Sequence, residues 1–187
     1  MTGQTTPSVP PILPLRRSVW LWRGLAVGVV LLIGALYLGG AARRSGLGFP
    51  LDDGWIHQTY ARNLAQTGRL TYTGDKASSG STSPLWTFML SIAYLLRLPP
   101  LLWSYLLGGT FWLLTAATVA RLARRLYPQQ RQLAPWVGSA CLLEWHLAWA
   151  SLSGMETMLF TVLSILVIER YVARGHPAVL GLLGGLS

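Results

Sequence analysis

The sequence predicts an all-α fold: a polytopic transmembrane helical bundle with an external loop that carries interfacial helices. Three observations predict it. Hydrophobic residues make up 52% of the 187 positions and charged residues only 11%, against roughly 25% charged in a soluble domain. The apolar residues gather in runs long enough to cross a bilayer, which needs about 20 of them. The arginines cluster beside those runs, the pattern that fixes orientation in a membrane.

The first apolar run is Gly24–Ala42, giving a predicted span over about 19–42. Residues 1–18 before it are Pro/Thr/Ser-rich and read as a disordered cytoplasmic tail. Residues 19–187 form the transmembrane domain. Leu101–Ala120 is the second span and Leu133–Leu152 the third. Thr157–Ala173 is the fourth, and a partial run over 178–187 meets the end of the chain. Pro84–Leu96 is too short to cross, and Pro84 suits a helix first turn. It is therefore expected to lie along the outer leaflet or dip into it.

Charge then sets the topology. With Pro84–Leu96 uncrossed, the 43–100 loop is external. Nine of the fifteen basic residues fall inside: Arg16, Arg17, Arg23, Arg121, Arg124, Arg125, Arg131, Arg170 and Arg174. The opposite arrangement would put the densest arginine cluster outside, against the positive-inside rule. The net charge of +9 is thus assigned to the membrane, and nucleic acid is excluded as a partner. Cys141 is the single cysteine, so there is no disulfide framework. Nine Trp and seven Tyr suit interface belts.

This topology gathers carboxylates. Asp52, Asp53, Asp75 and Glu156 all fall on the external side, and convergent carboxylates at one face point to a polar site. Asp52 or Asp53 is expected to cap a short amphipathic helix that ends at Gly68. Trp55 or Ile56, Tyr60 and Leu64 mark its apolar face, with His57, Arg62 and Asn63 opposite. Glu144 and His146 sit in the third span, two positions apart, and are not expected to share a helical face.

Three motifs carry a resemblance: Asp52-Asp-Gly-Trp-Ile-His with Tyr60-Ala-Arg-Asn-Leu, Gly80-Ser-Thr-Ser-Pro-Leu-Trp, and Ser153-Gly-Met-Glu-Thr. Over about residues 19–175 the chain resembles the GT-C membrane glycosyltransferases, which use polyprenyl-phosphate-linked sugars. It looks most like the arabinofuranosyltransferase-like branch, related to the protein O-mannosyltransferases. The resemblance implies transfer of a sugar from a polyprenyl-phosphate donor to an acceptor hydroxyl on a glycan, lipid or protein. It implies a multi-pass protein of the plasma (inner) membrane, with Asp52 or Asp53 as general base. Substrate-binding residues would be Glu156, which orients phosphate or a metal, with His57, Arg62, Thr82 and Ser83. Members have more spans than this chain, so the expectation is an N-terminal portion, inactive as a fragment.

The chemistry is consistent with those residue types. The phosphate leaves as a stable anion, whereas the acceptor hydroxyl must lose a proton, which a carboxylate can take. Arg62, Arg69 and Lys76 are candidates to meet the phosphate charge. Trp55, Tyr60, Trp86 and Trp149 are candidates to stack on sugar or prenyl groups. A divalent metal, if present, would sit on Asp52, Asp53 and Glu156, since hard cations take carboxylate oxygens. The competing readings are a transporter or flippase subunit and a non-catalytic truncated membrane protein.

Overall fold

The computed structural model describes residues 15–44, 46–73, 78 and 80–186. The described residues form eight α-helices and no strand. They are α1 Leu15–Arg44, α2 Asp52–Thr67, α3 Pro84–Leu95, α4 Pro100–Leu126, α5 Leu133–Leu143, α6 Trp145–Leu152, α7 Thr157–Val172 and α8 Pro177–Leu186. Of the expected 1–18 tail, residues 1–14 lie outside the described residues, and 15–18 are helical.

Two helices are long and apolar enough to cross a membrane: α1, over Leu21–Arg44, and α4. They differ in role. The described part of α1 is hardly buried, and Leu21, Leu25, Leu31, Leu32 and Leu36 all project outward. An apolar surface of that extent is not one a helix keeps in water. α4 is the hub, packing against α1, α3, α5, α6 and α7.

Small residues let the helices close on α4. A Cβ at Gly108 would run into the Ser151 carbonyl, so only glycine allows the end of α6 to cross there. A Cβ at Gly138 would stand 3.2 Å from the Ala116 oxygen and from the Ala120 methyl. Buried hydroxyls on α4 are satisfied within the helix: Ser104 donates to Pro100 O, Thr115 to Phe111 O and Thr118 to Leu114 O. Trp112 Nε1 donates to Cys141 O at 3.0 Å, tying α4 to α5.

The expected third span is not one helix. It breaks at Glu144, whose backbone is extended (φ −75°, ψ 118°), into α5 and α6. Glu144 caps α6: its Oε2 accepts from Leu147 N at 2.8 Å, and its Oε1 lies 2.5 Å from His146 Nδ1. The break therefore pairs two residues that a continuous helix would have kept apart. α7 has 16 residues, close to the expected 157–173, and α3 matches the short expected segment at 84–96.

The two ends of α4 are chemically different. At its start, Ser104 Oγ accepts from Gln58 Nε2 at 2.6 Å, and Tyr105 OH donates to Gly48 O at 2.9 Å. At its far end, Arg125 Nε donates to Glu169 Oε1 at 2.6 Å, with Arg170 Nε 3.6 Å from the other oxygen. Glu169 is 2% exposed, so this ion pair locks α4 to α7. Roughly 30 Å of helix, at 1.5 Å per residue, separates Ser104 from Arg125.

Candidate functional site

α2 and α3 pack on each other and bring the residue 52–64 and 80–86 motifs onto the 153–156 turn. Phe49 is the pivot. Its ring fills the space that Cβ atoms would take at both Gly54 and Gly154, and Gly154 has φ +80°, a conformation glycine adopts without strain. A Cβ at Gly54 would also stand 2.9 Å from Ser153 O. Trp86 Nε1 of α3 donates to Gly154 O at 3.0 Å. Ser153, fully buried, donates its hydroxyl to Ala150 O and accepts from Met155 N at 3.3 Å. The turn is thus fixed from three sides, and Glu156 leaves it in a set direction.

Glu156 meets His57. His57 Nε2 lies 2.9 Å from Glu156 Oε2, with the imidazole 4% and the carboxylate 23% exposed. The approach is oblique: Oε2 is buried without an aligned hydrogen-bond donor, and His57 Nδ1 is likewise buried without a partner. The contact is thus a close polar approach rather than a linear bond. Glu156 Oε1 accepts from Thr82 Oγ1 at 3.2 Å. The His57 imidazole is the first cause holding the Glu156 carboxyl at about 2, below its ordinary 4.5; burial pulls the other way. A groove of about 350 Å³ is lined by the polar Thr82, Ser83, Glu156 and Thr157 and by the apolar Met155, Leu159, Phe160 and Leu186.

The structure brings together four of the expected site residues: His57, Glu156, Thr82 and Ser83. Asp52 and Asp53 are next to the same turn through Gly54 but do not line the groove. Both are exposed, and neither caps α2. The N-cap position is Leu51, with no side-chain bond, and the two aspartates occupy the first turn, where the helix dipole favours them. Gly68 ends the helix as expected, with φ 70° and its N–H on Leu64 O.

The buried face of α2 matches the expected one in part: Tyr60 faces inward and Arg62 outward as expected, but His57 and Asn63 are turned in and Trp55 is turned out. Gln58 and Ala61 face inward as well. Partners explain it. Gln58 bonds Ser104 and Tyr94, and Asn63 Nδ2 donates to Thr71 O and Tyr72 O. Buried polar groups cost little once bonded, and apolar periodicity cannot see those bonds.

Arg62 stays out of the groove. It is exposed, and its charge acts on the Tyr94 phenol, which burial raises and Arg62 lowers. Arg69 is exposed too, while Asp75 and Lys76 lie outside the described residues. Tyr60 and Trp86 are buried and bonded within the fold, Tyr60 to Ser78, so neither has a free face to stack on a substrate; Trp55 and Trp149 are exposed. Among the described residues no three His, Cys, Asp or Glu side chains gather as metal ligands, so Asp52, Asp53 and Glu156 do not form a three-ligand site.

No family model, curated protein or solved structure matches the chain.

Proposed function

We propose that the chain is a multi-pass membrane glycosyltransferase domain of the plasma membrane that moves a sugar from a polyprenyl-phosphate donor to an acceptor hydroxyl at the external face. The observation that carries this reading is the packing of the Asp52/Asp53 helix start and the Glu156 turn at one end of the helical array, beside a groove with both polar and apolar lining. An amphiphile's headgroup and chain fit such a groove.

The distribution of charge supports the orientation. The carboxylate-bearing turns lie at the Ser104 end of α4, and Arg121, Arg124 and Arg125 lie at the other. The separation, roughly 30 Å, equals the thickness of a bilayer's hydrocarbon core.

The residues divide the chemistry. A carboxyl held at about 2 is a weak base at neutral pH, because a general base works best with a pKa near the working pH. Glu156 therefore serves as an acceptor and orienting group. Asp52 or Asp53, exposed at the start of α2, takes the proton from the acceptor hydroxyl as it attacks the anomeric carbon. The bond to phosphate breaks, and the phosphate leaves as an anion. Binding of polyprenyl-phosphate-linked radiolabelled sugars to the purified chain in detergent tests the reading. Saturable binding of one of them supports it; none with any donor sugar rejects it.

The transporter reading has one observation of its own, the helix interrupted at Glu144. Transporters bind ions at such breaks near the bilayer midplane. Here, though, both carboxylate oxygens are occupied locally, by Leu147 N and His146, which makes the break a self-contained cap.

A further inference from the structure

The groove at Glu156 is selective in a way its lining makes explicit. Glu156 Oε2 is buried against His57, so the part of the carboxylate that reaches the groove is Oε1. That oxygen accepts one hydrogen bond, from Thr82, and a carboxylate oxygen can accept more. No lysine or arginine among the described residues lines the groove. The polar lining thus offers an anionic acceptor and hydroxyls. A phosphate there would face a like charge with no lysine or arginine in the lining to offset it, and His57, on the Oε2 side, does not line the groove. A metal or compact cation would find a single carboxylate, where hard cations take several oxygen ligands. What suits it is a headgroup with several neutral O–H donors, joined to an apolar chain that covers Phe160 and Met155.

We propose that this groove binds the hydroxyl-bearing sugar of an amphiphile, with Glu156 Oε1 accepting from its hydroxyls and the lipid chain lying on Phe160 and Met155, and that phosphate is kept away from Glu156. The proposal rests on the glycosyltransferase reading and sharpens it: the sugar of the lipid-linked donor, not its phosphate, meets Glu156. Thr82 and Ser83 then serve as further hydroxyl partners of the sugar.

Binding of tritiated dodecyl glucoside to the full chain in phosphatidylcholine nanodiscs tests this directly. Saturable binding is expected. Glu156→Gln should weaken it about tenfold or more, the scale of a hydrogen bond to a charged group. Phe160→Ser, at a side chain 53% exposed, should weaken it too while the helical circular dichroism is unchanged, which covers the case in which the Glu156 variant fails to fold. Dodecyl phosphate should displace the glucoside poorly. The proposal is overturned if the wild-type chain shows no saturable binding, if neither variant weakens it, or if dodecyl phosphate competes as well as unlabelled glucoside. It is also overturned if dodecyltrimethylammonium competes better, since that would mark a site for cations. Glucoside binding without binding of any polyprenyl-phosphate-linked sugar would reject only the transferase reading. Binding of such a donor with glucoside binding indifferent to both variants would reject only this one.

Discussion

His57 Nε2 stands 2.9 Å from Glu156 Oε2, joining α2 to the start of α7. The two residues are the innermost part of the candidate site, and their contact has a measurable electrostatic signature.

The first prediction follows from that contact. Glu156 titrates at about 2 instead of 4.5, with His57 the largest cause. A carboxyl whose folded value is depressed contributes stability that is present above its ordinary pKa and lost as pH falls through the folded one. The window is therefore about 4.5 down to about 2. In thermal melts across that range the wild-type chain should lose stability progressively. His57→Gln should flatten the profile, because Glu156 would titrate nearer its ordinary value in both states. Matching pH profiles in the two proteins would show that His57 does not set the Glu156 charge.

The second prediction concerns packing. Gly108→Ala puts a methyl into the Ser151 carbonyl, and backbone cannot swing aside as a flexible side chain can. Overpacking of this kind costs about 1–3 kcal/mol or more. Gly109→Ala is the control, since its Cβ would meet only Val30 at an ordinary 3.6 Å. Denaturant unfolding in detergent should show a large loss for the first and little change for the second.

How much of this was legible in the sequence differs by element. The α3 segment and its start at Pro84, the Gly68 stop, and the start of α4 follow from local rules, which act within a few residues; α4 itself runs past the expected Ala120 to Leu126, through Arg121, Arg124 and Arg125. The arginine distribution puts the Asp52/Asp53 helix and the Glu156 turn on one side, but their contact through Gly54 and Ser153 comes from packing that charge does not encode. Three features did not follow. The inward face of α2 is polar because its partners, Ser104, Tyr94 and the Thr71 carbonyl, come from elsewhere in the chain. The Glu144 break was hidden inside an apolar run, although a glutamate followed by a histidine two places on was its one visible sign. The Arg125–Glu169 lock was missed because the arginine was counted only as part of a charge cluster; a lone glutamate near the end of an apolar helix was the clue.

The third prediction tests orientation. In a Cys141→Ser background, single cysteines at Leu51 and Gln129 should label from opposite sides of the membrane, Leu51 from outside and Gln129 from inside. Both positions are exposed, so labelling reports the side and not burial. Labelling of Gln129 from outside would reverse the topology and remove the external carboxylate site.

The fourth prediction separates catalysis from capping. Asp52 and Asp53 are exposed in the first turn of α2 and make no side-chain cap bond. Their structural share is limited to the helix dipole, a few tenths of a kcal/mol in an exposed turn. Asp52→Asn and Asp53→Asn should therefore leave expression and the thermal midpoint nearly unchanged. A general base contributes about 10²-fold or more, so at least one of the two should cut sugar transfer by that factor. The loss should appear in the turnover rate, not in dodecyl glucoside binding, because neither residue lines the groove. Glu156→Gln should behave oppositely, weakening binding first. Asparagine at both positions with full transfer would mean that the proton goes elsewhere, and the assignment of the base to this pair would have to be given up.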